Sequence, residues 1–243
     1  MTTGGELHVT ALTHRGAVRT SNEDALVMGA LAVCVDTSGP VRVLLPTGEP
    51  VILAVADGIG GHAAGEIASE HVAQRLGENS NQFRHPDQLS DLLLTLNEEL
   101  QEHAARFSEF SGMGTTVAGL LLHDGRAWWF NVGDSRTYRL TGDRLVQLTE
   151  DDSLPTGAPT NFITQSLGGT SKGAITPHVG EDPGGPTGAW LLCTDGLTDL
   201  VDVPDMEKIL ATHTNDEAAV HALWQAAMAA GGKDNISIVL ARA

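Results

Sequence analysis

The chain has 243 residues, enough for one domain or two small ones and for a core that hides about 70% of the unfolded surface. Its 14 lysines and arginines against 31 aspartates and glutamates leave a net charge of −17, which argues against nucleic acid and anionic membranes as partners, since both select clustered basic side chains. An apolar fraction of 41% with 19% charged residues fits a globular chain rather than a disordered one.

Met1–Thr10 shows neither a basic n-region nor an apolar h-region, so no signal peptide is read there. The longest apolar runs, such as Val51–Ala56, reach about six residues where a membrane span needs about 20, and a soluble cytoplasmic protein is expected. The two cysteines, Cys34 and Cys193, each lie in apolar runs and predict buried, reduced thiols. Glu6–Leu12 and Asp24–Val35 read as strand. Val41–Leu45 and Val51–Ala56 flank Pro46-Thr47-Gly48-Glu49, a turn sequence that predicts a hairpin. Ala64, Ile67, Ala68, Val72 and Leu76 then fall on one helix face, and Leu89 to Ala104 repeat that spacing, with Pro86-Asp87 as a start.

Strands return at Thr115–Leu122, Arg126–Val132, Arg136–Leu140 and Leu145–Leu148. The short turns between them predict an antiparallel meander. Asp151–Thr160 and Asp182–Gly188 read as loops and Ala189–Thr194 as a strand. Pro204–Thr212 and Asp216–Ala230 read as helices, the second stopped by Gly231-Gly232, and Asn235–Ala241 as a final strand. Two runs of strands, each followed by helices, predict one α+β sandwich.

Aspartates stand at the ends of several of these strands. Val51–Ala56 runs into Asp57-Gly58, Leu191–Thr194 into Asp195-Gly196, and Asp234-Asn235 opens the last strand. An Asp-Gly pair is ordinarily a hairpin turn, and Asp124-Gly125 reads so, but Asp57-Gly58 leads into a glycine loop and a helix. If the three acids converge, each pair at 4 Å repels by about 4 kcal/mol at an effective dielectric of 20. They would then take up protons or bind a cation, and oxygen ligands alone favour Mg²⁺ or Mn²⁺ over Zn²⁺. Arg19-Thr-Ser-Asn22-Glu23-Asp24 is either a surface ion-pair group or a phosphate fork beside a metal-supporting acid. Asn131-Val-Gly133-Asp134-Ser135-Arg136 is either a tight turn between two strands or a further acid at a sheet end.

Gly58-Ile-Gly60-Gly-His-Ala63 formally matches a dinucleotide-binding motif, but Asp57 would repel the pyrophosphate and no parallel strand follows the helix. No G-K-[ST] loop, H-E-x-x-H or G-x-S-x-G is present. The ten histidines show no metal-ligand spacing, and His62, in the glycine loop, is the one that stands out.

Taken together, these segments resemble the metal-dependent protein phosphatases of the PP2C type in their compact bacterial form. The resemblance rests on Arg19-Thr-Ser-Asn-Glu-Asp24, Val55-Ala-Asp-Gly-Ile-Gly-Gly-His-Ala-Ala-Gly-Glu66, Gly112-Met-Gly-Thr-Thr116, Val132-Gly-Asp-Ser-Arg136, Cys193-Thr-Asp-Gly-Leu197 and Gly232-Lys-Asp-Asn-Ile-Ser237, in the family's order. It implies a single domain over residues 1–243, a four-layer α-β-β-α sandwich with two antiparallel sheets face to face and helices outside. It also implies a two-ion Mn²⁺ or Mg²⁺ centre. In that reading Asp57 bridges both ions, Asp195 and Asp234 complete the first site, and the Gly58 carbonyl and Glu23, through water, support the second. Arg19 holds the substrate phosphate, His62 is a candidate general acid, Asp134 with Asp195 forms a third metal site, and Asp24 and Asn235 support the rest.

The implied activity is hydrolysis of phosphoserine and phosphothreonine in proteins by attack of a metal-bridging water, reversing a serine/threonine kinase. A catalytically weak regulatory or binding protein on the same fold is the alternative. Two departures stand out. Asp151-Asp152-Ser153 replaces an expected Asp-His-Ser, and only Leu154–Ile163 remains of a longer flap, which predicts an open and unselective cleft.

Overall fold

The computed structural model describes residues 5–60, 64–154, 163–169 and 174–243. His62 and most of the shortened segment after Ser153 lie outside the described residues.

The first half of the chain runs β1 (Glu6–His14), β2 (Asp24–Met28), β3 (Leu31–Val33), β4 (Val41–Pro46), β5 (Val51–Ile59), α1 (Ala64–Glu78) and α2 (Pro86–Arg106). It continues through a 3₁₀ turn at Ser108–Phe110 to β6 (Gly114–Thr115), β7 (Val117–His123), β8 (Arg126–Val132), β9 (Arg136–Thr141) and β10 (Arg144–Gln147). The remainder is β11 (Leu167–Gly168), β12 (His178–Glu181), β13 (Ala189–Cys193), α3 (Asp195–Thr198), α4 (Val203–Thr212), α5 (Asp216–Ala229) and β14 (Ile236–Arg242).

The strands form two antiparallel sheets. One has the order β10-β9-β13-β14-β1-β4; the other runs β11-β6-β5-β7-β8-β12, with β2 paired to β5 and β3 to β2. Three apolar clusters separate four layers. Leu7 and Val9 of the first sheet meet Leu26, Met28, Leu53 and Val55 of the second between the sheets. Val72, Leu76, Leu93 and Leu96 of α1 and α2 cover the second sheet. Met206, Leu210, Val220 and Leu223 of α4 and α5 cover the first. The expected α-β-β-α sandwich is the observed one.

Local signals held where the physics is local. Helix α2 starts with Pro86 behind a capping box between His85 and Gln88. Helix α5 is capped by Asn215, whose side chain accepts from the Glu217 and Ala218 amides. Its stop is Gly231-Gly232, both at positive φ. Asp124-Gly125, also at positive φ, closes the β7–β8 hairpin.

Three expectations about the strands fail. Val41–Leu45 and Val51–Ala56 are not a hairpin: β4 pairs with β1, while β5 lies in the opposite sheet between β2 and β7. Their burial explains it. β4 alternates half-buried and exposed, as an edge strand does, whereas Val51–Ala56 is buried throughout. The meander breaks at Gly133-Asp134, where the chain leaves β8 and crosses to β9 in the other sheet. Asp24–Val35 is two strands, folded at Gly29, which takes a positive φ that an L side chain resists. Cys34 is half-buried rather than buried; Cys193 is buried, and both are free.

Candidate active site

Strand geometry gathers the acids at one end of the sandwich. Asp24 and Asp57 are cross-strand partners at the ends of β2 and β5. The Gly58 amide donates to the Glu23 carbonyl at 3.0 Å, so the Arg19–Asp24 stretch is tied to the end of β5. A side chain on Gly58 would strike the Gly65 carbonyl at 2.3 Å, and one on Gly65 would strike the Glu23 carboxylate at 2.6 Å. Glycine at both positions lets the Gly58 backbone, Glu23 and the start of α1 come together.

The partner acids arrive from the other sheet. Asp195 opens α3 directly after β13, and Asp234 precedes β14. A side chain on Gly196 would overlap the Asn235 carbonyl at 1.8 Å, so that contact packs α3 against the start of β14. Asn235 is the tie of this end. Its side chain donates to the Arg15 and Ser21 carbonyls and accepts the Glu23 amide at 2.8 Å, which fixes the loop bearing Arg19 and Glu23. Arg19 donates to Asp234 at 2.6 Å. The stretch is therefore not a self-contained surface ion-pair group: its arginine reaches across to a candidate ligand, and its Asp24 is buried.

A hydroxyl network supports the acids. Thr194 donates to Asp24 at 2.9 Å and accepts the Ser237 amide, and Ser237 and Thr13 share a hydrogen bond at 2.8 Å. Thr116 accepts the Asp57 amide and is bonded to Ser135 at 2.8 Å, beside the crossover that carries Asp134. Of these hydroxyls only Thr13 lay outside the segments that drew attention in the sequence.

These bonds leave the acids under-satisfied. Asp24 Oδ1, Asp134 Oδ1 and Asp195 Oδ1 are buried with no partner. Burial pushes Asp24 up to about 8, with the charges of Asp195 and Asp234 adding to it against the Ser237 and Thr194 bonds. Asp57 is held well above the usual carboxylate range, by burial first and then by the charges on Asp24 and Asp195. Asp195 is raised to about 6 by burial, which its hydrogen bond with Asp57 partly offsets. Asp134 reaches about 7 through burial and the neighbouring Asp195. Burial also raises Glu23, against the pull of Arg19.

The structure thus brings together Arg19, Glu23, Asp24, Asp57, Gly58, Asp134, Asp195, Asp234 and Asn235. The acids lie close enough to perturb one another, but among the described residues no group of three or more carboxylate, imidazole or thiol side chains is drawn up at metal-binding spacing. Their chemistry nevertheless fits a hard divalent cation. The donors are all oxygen, and three buried carboxylate oxygens have no partner.

The family model for protein phosphatase 2C matches residues 32–230. The chain belongs to the protein phosphatase 2C family. Its relatives within that family include the serine/threonine phosphatase stp of Listeria welshimeri, 30% identical over 96% of this chain and 95% of that one. Among solved structures, the serine/threonine phosphatase Stp1 of Staphylococcus aureus is 26% identical with a TM-score of 0.81, covering 100% of this chain and 97% of its own. The catalytic domain of the serine/threonine protein phosphatase PstP, solved in complex with two manganese ions, is 28% identical with a TM-score of 0.77, covering 98% and 99% of the two chains. As a protein phosphatase 2C, this chain is an enzyme of the phosphatase class expected from its motifs. No helix among its described residues is long and apolar enough to cross a membrane.

Proposed function

We propose that this chain is one catalytic domain that hydrolyses phosphoserine and phosphothreonine in proteins with Mn²⁺ or Mg²⁺. The observation that carries the reading is the convergence of acids from both sheets with three buried oxygens left unpartnered. Asp57, the Gly58 carbonyl, Asp195 and Asp234 would hold two ions, with Glu23 reaching the second through water, and Asp134 with Asp195 would hold a third. Two such ions supply Lewis-acid activation of water and neutralise charge developing on the phosphoryl oxygens.

The chain's own residues do the rest. Asp24, buried, accepts the Thr194 hydroxyl and adds a polar group to the inner part of the site. Asp57 would hold a cation in its ionised form, as ligand carboxylates do. Arg19, half exposed, leaves Asp234 to grip the phosphate, a bidentate role suited to a guanidinium. Asn235 keeps the Arg19 loop in place while that exchange occurs. His62 stays a candidate general acid for the leaving serine or threonine oxygen. The substrate would be a phosphoprotein made by a serine/threonine kinase, and the setting the cytoplasm.

The test is turnover of p-nitrophenyl phosphate and of a phosphothreonine peptide by the full chain, with and without Mn²⁺. Metal-dependent release of phosphate from both supports the reading. Binding of the peptide without turnover would instead support a regulatory protein on this fold.

A further inference from the structure

Asp152 stands apart from the acid cluster, yet all four of its polar atoms are engaged and it is only 8% exposed. Its Oδ2 accepts the Gly133 amide at 2.9 Å, and its own amide donates to the Gly133 carbonyl at 2.9 Å. Its Oδ1 accepts from Gln165 Nε2 at 2.7 Å and lies 2.9 Å from His178 Nε2, and its carbonyl accepts the Thr164 amide at 2.7 Å. Gln165 is held in turn by the Thr176 amide, which donates to its Oε1 at 2.7 Å.

Gly133 is the residue that this grip immobilises. It sits at φ +106°, and a Cβ there would meet Thr116 at 2.6 Å, so it is confined between Thr116 and Asp152. The next residue is Asp134, whose Oδ1 is buried without a partner. A carboxylate with one oxygen unbonded owes its place to its backbone, and that backbone is the segment Asp152 clamps at two points. An aspartate suits the task because its two oxygens accept on both sides at once. Asparagine supplies one acceptor, and alanine none.

We infer that Asp152, backed by Gln165 and His178, is a positioning residue for Asp134. The clamp is geometric; its effect on rate rests on the phosphatase reading above. Losing an acceptor leaves buried donors unsatisfied, and residues acting through one another are non-additive.

The experiment is a double-mutant cycle in the full chain, with kcat for p-nitrophenyl phosphate measured across a Mn²⁺ titration and amide hydrogen exchange followed over residues 131–136. Asp152→Ala should lower kcat about tenfold in the native background and by less than about twofold in an Asp134→Ala background, with faster exchange at Gly133 and Asp134. Asp152→Asn should fall between the native chain and Asp152→Ala. Equal losses in both backgrounds, or unchanged exchange at Gly133, would overturn the inference. Should Asp152→Ala fail to fold, Asp152→Asn carries the same cycle, and its melting temperature separates global loss from local displacement. A native chain with no Mn²⁺-dependent turnover would sink the phosphatase reading instead, and exchange at Gly133 would still decide the clamp.

Discussion

The two ends of β13 both carry buried acids, and they are built on opposite principles. Near its start, Asp182 is fully enclosed and saturated with donors: Arg139 pairs with it, and the Trp190 indole and the Gly184 amide donate to it at 2.7 and 2.9 Å. Arg139 also donates to the carbonyls of Gly184, Gly185 and Thr187, so this cluster closes on itself. At the other end, Asp24, Asp134 and Asp195 keep buried oxygens with no donor, and their titration is pushed upward. A buried acid with its full set of donors is architecture, whereas buried acids left with oxygens to spare are where the proposed cations would bind.

This contrast can be broken at several points. The largest effect is expected from Asp57→Asn: more than about a hundredfold loss of Mn²⁺-dependent turnover, since metal assistance supplies several kcal/mol. The same change should abolish most of the stabilisation that Mn²⁺ confers, about 2.7 kcal/mol at a hundredfold excess over Kd and read as a rise in melting temperature. An equal rise in the variant would remove Asp57 from the ligand set.

Asp182→Ala should do the reverse. It leaves the Arg139 charge short of its partner and should destabilise the fold by about 3–5 kcal/mol, while the chain that still folds keeps its Mn²⁺ response. Chemical denaturation with and without Mn²⁺ measures both. A lost metal response would merge the two acid sites that the structure separates.

The pH dependence without metal sharpens the comparison further. Asp195, Asp134 and Asp24 titrate in the folded chain near 6, 7 and 8, above the ordinary aspartate value of 3.8. The folded state therefore binds more protons than the unfolded one across this range. The stability these groups contribute is fully present below about pH 4 and is lost as pH rises through their folded values. Melting temperatures of the metal-free chain should fall from pH 5 to pH 8, and saturating Mn²⁺ should flatten or reverse that slope. A metal-free chain that gains stability over the same interval would contradict the upward shifts.

The smallest effect concerns Arg19. Arg19→Ala removes a charge-assisted contact and should raise KM for a phosphopeptide about tenfold, leaving the Mn²⁺-induced stabilisation nearly intact. An unchanged KM with a weakened metal response would make Arg19 a structural partner of Asp234.

Much of this site was legible from residue order. An aspartate-glycine pair after a fully apolar run, as at Asp57-Gly58 and Asp195-Gly196, marks an acid near the end of a buried strand. Asp152 stood out only as a departure from an expected Asp-His-Ser; its hold on Gly133 and its link to His178 could not be read, because they join groups 19 and 26 residues apart.

The sequence by itself determined most of the longer strands and helices, because each depends on hydrophobic period and on bonds within a few residues. It also determined the residue types at the acid end, and with them the family. Only the tertiary structure decided sheet membership. The turn after β4 and the turn at Gly133-Asp134 both look like hairpins locally, yet both carry the chain from one sheet to the other. What selects the crossing is burial on both faces of β5 and the pairing of β9 with β13, strands distant in sequence, and no short segment encodes either. That second crossing is what carries Asp134 to the acid cluster and gives Asp152 something to hold.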